Sequence, residues 1–491
     1  MILLPNGTVK AWGANLNGEL GIGSTTSQTT PQQIPASNLS SVWAIAAGSH
    51  HSLALLSTGT VKAWGLNQYG QLGLGNTSGQ NLPQQIPASS LGGVIAIAAG
   101  DCHSLALLSN GTVMAWGCNQ FGELGLGNSG LGAHQATPQQ IPASNLSNVV
   151  AIAAGHNHSL ALLSNGTVKT WGINQYGELG LGYSGMATNQ STPQQIPSSS
   201  LNNVVAIEAG GAHNLALHSN SNVTAWGLNG TGQLGLANTT NQIAPLAIPS
   251  NSLSNVVALA AGASHSFALL ADGTVKAWGD NYFTQLGMGI IPFPGVQTTP
   301  IQIASSNLSN VSALAAGNDH SVATLSDGTA TSWGRNIAGQ LGLGSTANQS
   351  TPQPIPWHCF SAATTFSMHF EVLGSSALGM TIPCNPVTSI AGGPYYYFNS
   401  FSADSLNSTS PGTGAWHGLH TTQAEVLAWL NWGTNGFAVA LGPLASTGGA
   451  AASVAITPGS LSGLTVYGVS VAFHPLTLAV LANSSVTGYT F

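Results

Sequence analysis

Six histidines recur at one place in a repeated phrase: His51, His103, His158, His213, His265 and His320. Serine follows each of them except His213, which asparagine follows. A His beside a Ser is the minimum of a base–nucleophile pair, and six equivalent imidazoles invite a metal ring. A metal needs bonds of about 2 Å converging on one point, and equivalent residues in repeating units need not converge. One His per unit at a strand start is instead expected to hydrogen-bond a neighbouring backbone group. A His–Ser pair in nearly every unit suits architecture better than a single active site. His50, His134, His156 and His218 fall outside this pattern and are expected in loops. His417 and His420 form an H-x-x-H with no evident third ligand, and the nearby carboxylates Glu371, Asp404 and Glu425 lack a flanking motif that would make them an acid/base pair. The Gly-rich "GELGLG" has no P-loop lysine and does not begin a helix. No catalytic residue, cofactor or metal is expected, and the chain reads as a non-enzyme.

Composition narrows the partners. Only 3% of the 491 residues are charged, with five basic against twelve acidic side chains; ordinary soluble domains carry about 25% charged residues. Nucleic acid is held by neutralising phosphates with Lys and Arg, so five basic residues spread over the chain make it a poor partner. A surface with little like-charge repulsion favours association with itself or a matrix. Gly, Pro and polar residues break every long apolar run, so no membrane helix is expected. "MILLPNGTVKAWG" at the start lacks the marks of a signal peptide. Of the four cysteines, Cys359 and Cys384 share the C-terminal region, where one bridge is reasonable, and Cys102 and Cys118 lie within one repeat. The absence of C-x-x-C argues against zinc.

The elements that would position these groups repeat. Trp-Gly occurs at Trp12, Trp64, Trp116, Trp171, Trp226, Trp278 and Trp333, at spacings of 52 or 55 residues. The unit runs "LSNVVAIAAGxxHSLALLSNGTVKAWGxNQYGQLGLGN", then a variable polar loop, then "TPQQIP". "VVAIAAG" and "HSLALL" read as buried strands. "SNGT" is a hairpin turn whose Asn and Gly tolerate positive φ. In "TVKAWG", alternation puts Thr, Lys and Trp on one face. The Lys position (Lys10, Lys62, Lys169, Lys276) is Met114, Thr224 or Thr331 elsewhere, so it is no recognition code; its stem is expected along a Trp with the amine in water. "QYGQLGLG" must turn tightly or approach something closely. "PQQIP" can only be an edge strand. Three or four short antiparallel strands in about seven units are best buried by radial stacking.

The residues Gly48-x-x-His51-Ser52-Leu53-Ala54-Leu55, Gly59-Thr60-Val61, Trp64-Gly65 and Asn67-x-x-Gly70-Gln71-Leu72-Gly73 resemble the repeat of the regulator-of-chromosome-condensation (RCC1) family. The resemblance implies an all-β, seven-bladed RCC1-like β-propeller over residues 1–356. It implies no single function, because such propellers include nucleotide-exchange factors, chromatin binders, light sensors and bacterial binders of secreted enzymes. The chain lacks the basic anchors of the chromatin type and the charged loop of an exchange factor. Its propeller Trp residues are the repeat Trp plus Trp43, which suits a light sensor poorly. A neutral, bacterial-type binding propeller, secreted or at the cell surface, is the expectation. The first unit lacks the "AAGxxHS" strand and the segment after Pro356 does not resemble it, so a start truncated upstream is expected.

Residues 357–491 read as a β-sandwich-like domain, with strands in 464–473 and 484–491 and one short helix in "TQAEVLAWLNWG". Specificity is expected in the variable loops 127–137, 182–192 and 287–299. The last is the most apolar, and Ile290, Ile291, Phe293 and Pro294 are expected to contribute a binding face. The partner is an unidentified protein or a second copy. A self-assembling matrix or filament protein is the alternative, ahead of an exchange-factor-like regulator or an enzyme activity in the C-terminal domain.

Overall fold

The computed structural model describes residues 1–289 and 295–356 in full, and beyond them only the strands 365–370, 378–383, 440–441, 450–455, 465–467, 470–473 and 488–490. Residues 1–325 and 329–357 form one compact unit; 326–328 and 358–491 form the other.

The first unit is a seven-bladed, all-β propeller. Blade 2 shows the plan: Val42–Ala47, His51–Leu56, Val61–Gly65 and Gln80–Gln85 pair antiparallel in that order. Blades 3 to 7 repeat it, with their His strands at His103–Leu108, His158–Leu163, His213–His218, His265–Leu270 and His320–Leu325. The Pro-containing strand is the last in every sheet, where its missing donor costs nothing. Blade 1 has three strands, of which Ile2–Leu3 stands where the His strand stands elsewhere: Leu3 opposes Val9 as Leu55 opposes Val61.

Strand alternation buries both faces of each sheet. Leu53, Leu55, Val61 and Ala63 of blade 2 pack with Trp116 and Ala106 of blade 3. Ala54 and Trp64 turn the other way, onto Val9 and Ala11 of blade 1. The core is therefore a series of seams between blades rather than one central mass. The turn "SNGT" takes its positive φ at Gly111 alone; Asn110 serves through its side chain, whose Oδ1 accepts the Thr112 N–H at 3.1 Å and hydroxyl at 2.7 Å.

In the second unit, strands 465–467, 470–473 and 488–490 fall within the alternating stretches, and 365–370 pairs antiparallel with 378–383. The sandwich arrangement, the helix in 422–433, the Cys359–Cys384 bridge, His417, His420, Glu371, Asp404 and Glu425 all concern positions outside the described residues.

Candidate functional site on the loop face of the ring

The histidines are explained at the seams. His51 Nε2 lies 2.9 Å from Ser104 Oγ of the next blade, and Ser104 Oγ donates to the Gln71 carbonyl at 2.9 Å. A hydroxyl has one proton, so Ser104 must accept from His51, which fixes the Nε2–H tautomer. Blade 5 gives the same answer independently. There the partner is Asn214, whose Oδ1 can only accept from His158 (2.8 Å) while its Nδ2 donates to the Glu178 carbonyl (2.8 Å). His103, His213 and His265 repeat the relay with Ser159, Ser266 and Ser321. The expected backbone partner is thus reached through an intervening side chain. The intended His–Ser neighbours are not the bonded ones, because adjacent residues in a strand face opposite sides. Burial holds His51, His158 and His320 down to about 4, although Asp101 and Asp319 pull His51 and His320 the other way, and holds His103, His213 and His265 down to about 3. They are neutral structural groups, and Ser104, Ser159, Ser266 and Ser321 are wholly buried.

The same loop carbonyl receives the blade tryptophan. Each indole Nε1–H donates to the preceding blade: Trp64 to Glu19, Trp116 to Gln71, Trp171 to Glu123, Trp226 to Glu178, Trp278 to Gln233 and Trp333 to Gln285. Trp12 donates to Gln340 of blade 7 at 2.9 Å, which closes the ring. The Gly-rich phrase makes this possible. A Cβ on Gly125 would stand 3.0 Å from the Trp171 indole nitrogen, and φ there is +69°, a conformation that suits glycine.

One organiser entered the sequence reading only as a mark of the repeat and had no role there. Asn67 is fully buried; its Oδ1 accepts the Leu72 N–H at 2.9 Å and its Nδ2 donates to the Asn76 and Ser78 carbonyls at 3.0 Å. Asn15, Asn119, Asn174, Asn229, Asn281 and Asn336 make the same bond to the Leu five residues on. This Asn seats both the tight turn and the variable loop, so the two together form one face of the ring. The lysines also differ from expectation. Lys62, Lys169 and Lys276 do not leave their amines in water; they donate to the Asn38, Asn145 and Ser252 carbonyls of the connection before each blade. His218 likewise ends a strand rather than lying in a loop.

What the loop face offers is apolar. The residue after the organising Asn is Gln68, Gln120, Gln175 or Gly230 in blades 2 to 5, but Leu16, Tyr282 and Ile337 in blades 1, 6 and 7. Those three are 79%, 69% and 60% exposed, and their blades are consecutive around the closed ring. Loop tips add Leu131 and Met186, both well exposed. Beside Tyr282, the Phe283 ring carries the Arg335 guanidinium at 4.6 Å, and Arg335 Nη1 donates to Asp319 at 2.8 Å. Ile290, Ile291, Phe293 and Pro294 lie outside the described residues; Gly295, which ends their segment, accepts the Asn281 N–H at 2.6 Å, next to Tyr282. Subtracting the repeat from each turn is the signal that would have found Leu16, Tyr282 and Ile337.

The family model of the RCC1-like domain matches residues 79–370, and RCC1 repeats match 6–55 and 44–71. The ultraviolet-B receptor UVR8 of Arabidopsis thaliana is 30% identical over 72% of this chain and 78% of its own. The human E3 ubiquitin-protein ligase HERC2 is 35% identical over 54% of this chain, which is 5% of that much longer protein. Among solved structures, Prp20p of Saccharomyces cerevisiae superposes with a TM-score of 0.61 at 28% identity, over 72% of this chain and 87% of its own; its structure was described with its binding to Gsp1p and histones. The same yeast RCC1 bound to Kap60 gives 0.61 at 28% identity, over 71% of this chain and 84% of its own. With the blade phrase, its seam bonds and these likenesses in agreement, the chain belongs to the RCC1-like β-propeller family.

Proposed function

We propose that the protein is a non-enzymatic scaffold that captures a protein partner on the loop face of the propeller. The observation that carries this is the exposed apolar arc of Leu16, Tyr282 and Ile337, at a position that is Gln or Gly in the other four blades. Large exposed apolar side chains at equivalent positions of three consecutive blades suit an interaction surface, and Tyr is a favoured anchor. The segment holding Ile290, Ile291, Phe293 and Pro294 rejoins the turn beside Tyr282 and extends the same proposal. The basic side chains support a protein rather than a nucleic acid: three lysine amines are tied to carbonyls, and Arg335 is paired with Asp319. The yeast relative's binding to proteins supports the reading by likeness. A secreted or cell-surface setting goes with it, read by fractionating native cells and medium. No helix among the described residues is long and apolar enough to cross a membrane.

The test is capture from native lysate and medium by the full chain and by a Leu16→Ala/Tyr282→Ala/Ile337→Ala variant. Loss of a stoichiometric protein from the variant supports the reading; equal capture by both overturns it. Size-exclusion across concentrations separates the self-assembling alternative. A guanine-nucleotide exchange role is a second reading, favoured by the likeness to yeast RCC1, and is read by accelerated release of labelled nucleotide from added small GTPases.

A further inference from the structure

Each four-stranded blade has one cross-strand pair just beyond its His–Gly rung. The residue before the His gives its carbonyl to the N–H of the residue after the Trp-Gly: His50 to Leu66, Cys102 to Cys118, Asn157 to Ile173, Ala212 to Leu228, Ser264 to Asp280, Asp319 to Arg335. Side chains at this pair reach each other, as the Arg335–Asp319 ion pair at 2.8 Å shows. In blade 3 both are cysteines. They stand one rung beyond the His103–Gly117 pair, with Cys118 N–H donating to the Cys102 carbonyl at 2.8 Å, and both are free thiols. Directly opposed residues keep their Cβ atoms about 4.5–5.5 Å apart, close to the roughly 3.5–4.5 Å that a disulfide spans. The neighbouring Cys118 and burial push the Cys102 thiol well up, and the acidic Asp101 directly precedes it in the chain. Cys102 is partly exposed and Cys118 is buried behind it.

We infer that Cys102 and Cys118 are a redox-active dithiol that small disulfides, preferably cationic ones, close into a cross-strand bond. The Cys102 sulfur attacks the reagent, R–S–S–R, forming a Cys102–S–S–R bond and releasing R–SH. The Cys118 sulfur then attacks Cys102, forms the intramolecular bond and expels the second R–SH. Two cysteine sulfurs are oxidised, the reagent's two are reduced, and the two thiol protons leave on the released thiols. Cys102 takes the first step because it is the thiol that solvent reaches, and its raised pKa makes that step slow at neutral pH and faster as pH rises. The Asp101 carboxylate next to Cys102 repels an anionic reagent and attracts a cationic one. Cys118 directly precedes Asn119, which seats the blade 3 loop through the Leu124 N–H and the Asn128 carbonyl. The bond therefore fastens the root of one variable loop on the proposed binding face.

The experiment treats the reduced full-length protein with cystamine or with oxidised glutathione, quenches with acid and maps peptides by mass spectrometry. The expected product joins the Cys102 and Cys118 peptides with loss of two hydrogen atoms, and dithiothreitol reverses it. Cystamine is expected to act several-fold faster than glutathione disulfide, and Asp101→Asn narrows that gap. Cys118→Ser should stop at a mixed disulfide on Cys102. A wild-type protein that is folded by circular dichroism yet keeps the mixed disulfide, joins either residue to Cys359 or Cys384 instead, or does not react overturns the inference.

Discussion

The seams and the loop face are built from the same repeat, yet they answer to different constraints. At a seam, one carbonyl such as that of Glu123 takes both an indole N–H and a serine hydroxyl from the next blade, with a neutral His behind the serine. The carbonyl, the indole, the hydroxyl and the imidazole Nε2 are all engaged, and the residue types barely vary around the ring. On the loop face, the backbone is held equally firmly by the buried Asn, but the side chain after it is free to be Leu, Gln, Gly, Tyr or Ile. Rigid backbone with unconstrained side chains is the usual condition of a binding surface. Chemically suggestive residues sat in the seams, where they serve structure. The residues proposed to act are plain apolar ones.

Breaking a seam is expected to have the largest effect. Trp171→Ala removes a fully buried indole and its bond to Glu123, and should cost about 3–5 kcal/mol in urea unfolding. Acid comes next. The six repeat imidazoles have folded pKa values near 3 to 4, against about 6.5 when unfolded. Below pH 6.5 the unfolded chain takes up protons that the fold refuses, so stability falls as pH drops toward 4. Each imidazole contributes up to about 1.4 kcal/mol per pH unit. Glu123 and Glu208, raised to about 7 by burial, and Glu178 and Asp280, raised likewise, work in the opposite sense over their own window, but four carboxyls do not offset six imidazoles. The urea midpoint should therefore drop from pH 7 to pH 5; a flat profile would remove the neutral-His account. A smaller effect belongs to Lys169→Met, which loses the 2.6 Å bond to Asn145 but keeps the stem, at about 0.5–1.5 kcal/mol. On the loop face, Tyr282→Ala should stay within about 0.5 kcal/mol of wild type in stability while weakening partner capture about tenfold or more. If Tyr282→Ala unfolds the protein instead, the division between seam and face fails.

Blade number, strand order and turn positions were legible because period and turn chemistry are local. Seven Trp-Gly pairs became seven blades, and the Pro-containing segment became the outer strand of each. The pairing of His51 with Ser104 rather than Ser52 was not legible. It depends on which face of a strand meets which neighbour, and that is set only when blades stack. The Lys amines illustrate the same limit: alternation correctly put Lys62 on the Trp side, but the Asn38 carbonyl that receives it lies in the preceding connection. Leu16, Tyr282 and Ile337 were not legible from the repeat, because they stand where its consensus breaks.

The bond from Trp12 to Gln340 is chemically the same as its six counterparts, but it spans 328 residues where Trp116 to Gln71 spans 45. Closing the longer span loses about 2 kcal/mol more chain entropy. Six seams can thus assemble between near neighbours as an open arc, and the seventh turns the arc into a ring. Its formation couples the first blade to the last, so that fraying at either end must first break a joint at the other.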